Sequence, residues 1–150
     1  MLSVIPDPEI PVVSIYEMGM LRDVLINDKG YEIILTPTYS GCPAIGIIEH
    51  DIKMTLDANG VFPVTVTLVY DPAWTTDWMS DVAKQKLKAY GIAPPLHSSC
   101  NQEVFTNNII ECPHCHSTDT LLLSRFGSTA CKSLYSCKNC KEPFEYFKCH

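Results

Sequence analysis

Two stretches carry residues whose types and spacing could do chemistry. The first is the pair Cys112-Pro113-His114-Cys115 and Cys137-Lys138-Asn139-Cys140, two C-x-x-C knuckles with 21 residues between them. A knuckle turns both of its sulfurs the same way, and two knuckles complete a tetrahedral four-thiolate site. Zinc is the default ion for such a site, although iron in a rubredoxin-like site would satisfy the same ligands. A closed four-thiolate site keeps no open coordination position, so its expected role is structural. The second stretch is Thr36-Pro37-Thr38-Tyr39-Ser40-Gly41-Cys42-Pro43-Ala44, with Cys42 at the joint between a strand-like and a helix-like run. At or near a helix N-cap, a thiol meets free N–H groups and the positive end of the dipole, which favour thiolate. Thiolate attacks electrophiles and binds soft metals. The alternative is a small buried residue at a crowded turn, which is how most free cysteines behave.

Other candidates surround these two. Asp7 and Glu9, in Asp7-Pro8-Glu9-Ile10-Pro11, are polar caps, ligands or solvated carboxylates. Asp71-Pro72-Ala73-Trp74-Thr75-Thr76-Asp77-Trp78-Met79 holds both tryptophans of the chain. It reads as a hydrophobic plug over one end of the core, and a plug can also shield a metal or thiolate from water. Cys131 and Cys149 are left over with His114, His116 and His150, either as packing residues or as extra ligands at a second, more exposed metal site. No histidine has an evident reason to lie beside Cys42, which disfavours a thiol enzyme and intrinsic catalysis.

The elements that must position these residues follow from periodicity. Tyr31–Thr36 is strand-like, and Asn27-Asp28-Lys29-Gly30 supplies hairpin chemistry that pairs it antiparallel with a short strand at 23–26. Ile45, Ile48, Ile52 and Leu56 recur at three- and four-residue steps, predicting a helix over 43–58 with Gly60 as its stop. Phe62–Tyr70 alternates apolar residues with threonine, so a right-handed crossover lays it parallel to the strand before Cys42. Met79, Val82, Ala83, Lys86, Leu87 and Tyr90 share one face of a second helix. In a parallel layer the loops after strand C-termini lie on one edge, which makes the Cys42 and Trp74 loops expected neighbours. Strands are expected at 120–126, 132–136 and 143–148. The fold class is therefore a small two-layer α/β sandwich over 1–92, a linker over 93–108 that contains Cys100, and an all-β zinc ribbon over 109–150.

Composition agrees with two modules. Six of the eight cysteines fall between residues 100 and 140, and a module of about 40 residues rarely holds together on a hydrophobic core alone. Lys and Arg number six against thirteen Asp and Glu up to residue 108, and five against four thereafter. An acidic body and a nearly neutral tail offer little to a phosphate backbone, so nucleic acid is not an expected partner. No basic n-region and no apolar run long enough to span a membrane occurs. Paired C-x-x-C motifs without an export signal read as metal ligands in a reducing compartment, the cytoplasm.

Residues 5–92 resemble the iron–sulfur assembly family known as MIP18 or DUF59. The likeness is carried by Asp7-Pro8-Glu9-Ile10-Pro11, the Gly19 turn, and Thr38-x-x-x-Cys42-Pro43. With the Trp74 loop, Phe126-Gly127-Ser128-Thr129-Ala130-Cys131-Lys132 and the ribbon added, the whole chain is similar to the PaaD family of accessory proteins of bacterial phenylacetyl-CoA epoxidase systems. The chain departs from the usual pattern in having only six residues before Asp7, where a helix commonly precedes the motif. The resemblance implies a factor that matures iron–sulfur or di-iron centres in aerobic phenylacetate degradation. It makes Cys42 a transient ligand of iron or a cluster, places Asp7, Glu9 and Thr38 in the same site, and gives the Trp74 loop a screening or client-binding role. Partners would be epoxidase and reductase subunits, iron–sulfur assembly proteins or a second copy of the chain. A structural adaptor carrying only zinc is the competing expectation.

Overall fold

The computed structural model describes residues 1–95 and 109–149. Cys100, His150 and most of the expected linker lie outside the described residues. The chain divides into two compact units, Met1–Trp74 with Trp78–Ser80, and Thr75–Asp77 with Asp81–His150.

In the first unit, β1 (Leu21–Asn27) and β2 (Gly30–Leu35) form the expected antiparallel hairpin. Helix α1 (Ile45–Ala58) then crosses over to β3 (Val64–Leu68), which lies parallel to β2 in register from Tyr31↔Val64 to Leu35↔Leu68. The sheet order is β1-β2-β3. Of the four apolar positions read from the helical period, Ile48, Ile52 and Leu56 are buried. Each such side chain contributes roughly 1.5–3 kcal/mol on leaving water. The helix starts two residues later than expected, with Ala44 rather than Cys42 at its N-cap and no side chain capping it.

The residues before β1 form the other wall of this core, with Ile10, Val13, Ile15, Met18 and Met20 all at most 1% exposed. Ser14 and Glu17 form a reciprocal capping box: Ser14 N–H donates to Glu17 Oε2 at 2.9 Å and Glu17 N–H to Ser14 Oγ at 3.1 Å. The single helical turn that follows closes at Gly19, where φ is +70°. A β-carbon at Gly19 would lie 2.6 Å from Trp78 Cβ and collide with the Trp78 carbonyl oxygen. Gly19→Ala is therefore expected to lower the melting temperature by several degrees. The left-handed backbone alone accounts for about 1–3 kcal/mol, and thermal denaturation of the two proteins measures the difference. An unchanged midpoint would mean that this turn relaxes freely.

The second unit contains α2 (Asp81–Tyr90), β4 (Ile92–Ala93), β5 (Thr120–Ser124), β6 (Lys132–Cys137) and β7 (Pro143–Phe147). The sheet order is β4-β7-β6-β5, antiparallel except for the β4–β7 pair. The linker was expected to start at 93; Ile92 and Ala93 instead pair with Glu145 and Tyr146 and are buried. The second helix, expected against the first sheet, groups with this unit and contacts β4. The loop Phe126-Gly127-Ser128-Thr129-Ala130-Cys131-Lys132 wraps the Glu145 carboxylate. Ser128 N–H donates to Glu145 Oε1, and the buried Lys132 Nζ lies 3.0 Å from Oε2. Gly127 leaves room for that carboxylate, which a β-carbon would strike.

Candidate functional site

The two knuckles are built alike. In the first, Cys112 N–H donates to Ser117 O and His116 N–H to Cys112 O, both at 2.9 Å. In the second, Cys137 N–H donates to Glu142 O and Lys141 N–H to Cys137 O, both at 3.0 Å. His116 and Lys141, each four residues after the first cysteine of its knuckle, take left-handed φ values of 62° and 68°. That conformation lets a tight turn close, so all four sulfurs face inward. The four Sγ atoms lie within 4.8 Å of one another, with Cys112–Cys140 at 3.8 Å and Cys115–Cys137 at 3.5 Å. A zinc–sulfur bond of about 2.3 Å in a tetrahedron puts sulfurs roughly 3.8 Å apart, so the donor set fits zinc. The Ser117 backbone N–H and the Asn139 side chain pull the Cys115 thiol down to about 6. Such N–H donors to sulfur steady thiolate charge, and Asn139, the inner residue of its knuckle, carries no signal in the sequence that marks it for this role.

Cys42 lies in a different setting. Its N–H donates to Tyr39 O at 3.2 Å, closing the turn after β2, and the residue is half-buried. The backbone N–H groups of Ala44 and Ile45 do act on the sulfur as the helix-start argument expects. Burial nevertheless pushes the thiol above its ordinary value of 9.0, and the Glu9 and Asp7 carboxylates push it further, Glu9 the more strongly. The expectation of a stabilised thiolate is therefore reversed: Cys42 is a protonated thiol at neutral pH, and a cation that binds it must displace the proton. The alkylation rate of Cys42, followed by peptide mapping, should still be climbing above pH 9.0. Glu9→Gln removes one opposing charge and should shift that profile to lower pH. A plateau already reached near pH ~8 in the native protein would contradict this electrostatic account.

Asp7 is 6% exposed and Thr38 8%. Asp7 Oδ1 accepts the N–H groups of Glu9 at 2.8 Å and Ile10 at 2.9 Å, and its own N–H donates to Val13 O. Glu9 is only partly buried. The structure thus brings both acidic residues to bear on Cys42, across a sequence separation that local pattern could not bridge. Trp74 and Trp78 are engaged elsewhere. The Trp74 indole, 4% exposed, donates to Met18 O at 2.9 Å, and the Arg22 guanidinium stacks 3.6 Å from the Trp78 ring centre. Asp71 is exposed. The plug reading describes Trp74 better than a mobile screen does.

Among the leftover cysteines, Cys131 is buried with its sulfur 3.0 Å from Thr129 Oγ1. Cys149 lies 3.9 Å from Thr76 Oγ1 and is disulfide-bonded in this structure. The four-thiolate group is the cluster of metal-ligand type found among the described residues, and it includes neither of them. No helix of the described residues is long and apolar enough to cross a membrane.

Comparison with known proteins places both halves. Residues 1–68 match the family profile described as iron–sulfur cluster assembly protein, and residues 97–148 that of the PaaD zinc beta ribbon domain. The chain is 51% identical over 149 residues to an Escherichia coli protein whose name, "Putative 1,2-phenylacetyl-CoA epoxidase", makes it one of that enzyme's subunits; the match covers 99% of this chain and 89% of that one. It is 35% identical over 89 residues to an Fe-S protein maturation auxiliary factor of Porphyromonas gingivalis, covering 58% of this chain and 84% of the relative. A similar factor of Bacillus subtilis is 38% identical over 85 residues, covering 55% and 82%. The crystal structure of a DUF59 domain of unknown function from Bacillus anthracis superposes with a TM-score of 0.53 at 35% identity, over 57% of this chain and 83% of that one. The α/β fold and the zinc ribbon expected from the sequence both stand, and the four knuckle cysteines are the ribbon's zinc site.

Proposed function

This chain belongs to the iron–sulfur cluster assembly protein family, in the branch that carries a PaaD zinc beta ribbon, and from that premise we propose that it is a cytoplasmic accessory factor that matures the iron–sulfur or di-iron centres of a phenylacetyl-CoA epoxidase system. Its cargo is iron or a cluster, held transiently by Cys42. The observation that carries this reading is the setting of Cys42. A half-buried thiol at a helix start, flanked by the Glu9 and Asp7 carboxylates, offers soft and hard donors to one cation without enclosing it. Such a site takes up metal and can also give it away.

One cysteine cannot complete a cluster site, so a partner supplies the remaining ligands: an epoxidase or reductase subunit, an iron–sulfur assembly protein or a second copy of the chain. The ribbon meets the client. Its open edge strand β5 exposes Leu121, Leu122 and Leu123, with Phe126 beside them, an apolar surface suited to a protein partner. The same surface would serve a structural adaptor that carries only zinc. Complementation separates the two readings. In cells lacking this chain, Cys42→Ser at normal abundance should fail to restore growth on phenylacetate, whereas full growth would favour the adaptor.

A further inference from the structure

The two carboxylates of the Asp7-Pro8-Glu9 motif stand in different structural situations. Asp7 is almost fully buried, and one of its oxygens is committed to two backbone N–H groups, those of Glu9 and Ile10 at 2.8 and 2.9 Å. This is an Asx-turn, in which a short side chain takes the place of a backbone acceptor and fixes the residues that follow it. The turn is anchored on both sides. Asp7 N–H donates to Val13 O at 2.9 Å, Pro6 bridges to Ser14, and the Ile10 side chain is 1% exposed in the core. Glu9 sits at the middle of this fixed loop, its carboxylate acts on the Cys42 sulfur, and it is reached by solvent.

We propose that the motif divides its labour: Asp7 is a positioning residue that locks the loop, and Glu9 is the carboxylate that meets a ferrous cargo alongside Cys42. This inference rests on the reading of Cys42 as a cargo ligand and adds a second protein donor to it. A mixed thiolate and carboxylate pair suits a single ferrous ion, whose preference lies between hard oxygen and soft sulfur. Buried Asp7 needs only to accept hydrogen bonds, and an asparagine accepts them equally well through its own Oδ1.

The test is equilibrium dialysis of ferrous iron, without oxygen, against the zinc-loaded full chain and its variants, together with the melting temperature of each. Glu9→Gln should weaken iron binding about tenfold or more, since even losing an outer-shell partner costs roughly 10–100-fold in metal affinity, and should leave the melting temperature unchanged. Asp7→Asn should bind iron within about threefold of the native chain, because the conservative variant preserves the turn. Asp7→Ala should lower the melting temperature and weaken iron binding together. Native-like binding by Glu9→Gln would overturn the proposal. So would an Asp7→Asn variant that melts normally yet binds iron as poorly as Glu9→Gln, since Asp7 would then be a ligand itself. If Cys42→Ser binds iron as well as the native chain, the reading of Cys42 fails and this proposal fails with it; loss in Cys42→Ser with no loss in Glu9→Gln overturns the division of labour alone.

Discussion

Cys137→Ser will unfold the ribbon: the amide resonances of β5, β6 and β7 should lose their dispersion, and the protein should no longer retain zinc. The expected effect is large because the metal's ligands are themselves the core. Beside Ala93, Ile110, Phe144 and Tyr146, the buried cluster of this unit consists of Cys112 and Cys137, with Cys115, Tyr135 and Cys140 packed against it. Zinc binding contributes about 10–16 kcal/mol in small finger peptides near neutral pH. Whole domains have a net stability of only about 5–15 kcal/mol, so losing the metal removes the margin. Prolonged chelation should have the same effect as the substitution, and zinc added back to the native chain should reverse it. A ribbon that keeps its dispersed amides without zinc would show that β-pairing and the aromatic contacts of Tyr135 with Phe144 and Tyr146 suffice alone.

The second large effect is the reverse in character: Cys42→Ser should remove function and leave the fold. The side chain is half-buried, the substitution nearly isosteric, and the turn is closed by the Cys42 backbone N–H, which serine retains. The melting temperature should therefore stay within about 1 °C, since substitutions away from core and caps usually change stability by no more than ~0.5 kcal/mol. A serine hydroxyl, however, is a poor ligand for iron at neutral pH, so cargo binding and growth on phenylacetate should both be lost. Loss of growth together with loss of folded protein would instead make Cys42 a packing residue.

Much of this is legible in the sequence where one local rule acts at a time. Helical spacing finds Ile48, Ile52 and Leu56, the Asn-Asp-Lys-Gly turn gives the hairpin, and two apolar runs around a helix give the parallel crossover. C-x-x-C spacing finds the four zinc ligands with no structural information at all. The Ser14-x-x-Glu17 capping box carries the same kind of local signal.

What could not be read depends on contacts between distant residues. The helix N-terminus beside Cys42 is visible in the sequence, but burial and the carboxylates of Asp7 and Glu9, which outweigh it, come from a segment at the other end of the unit. Trp74 reads as a plug, yet what fixes it there, the Met18 carbonyl that accepts its indole N–H, is remote in sequence. The two-residue β4 is too short to show any period, and its partner lies in the last strand of the chain. Lys132 reads as a surface residue until Glu145 and the loop at Ser128 close over it.

The central claim is that Cys42 carries iron while the knuckle cysteines carry zinc. It is tested most directly by the zinc, iron and sulfide content and visible absorption of the native chain and of Cys42→Ser, both purified and reconstituted without oxygen. The account predicts about one zinc per chain in each protein, with iron bound only by the native chain. Equal iron in the two proteins, or zinc alone in both after reconstitution, would contradict it.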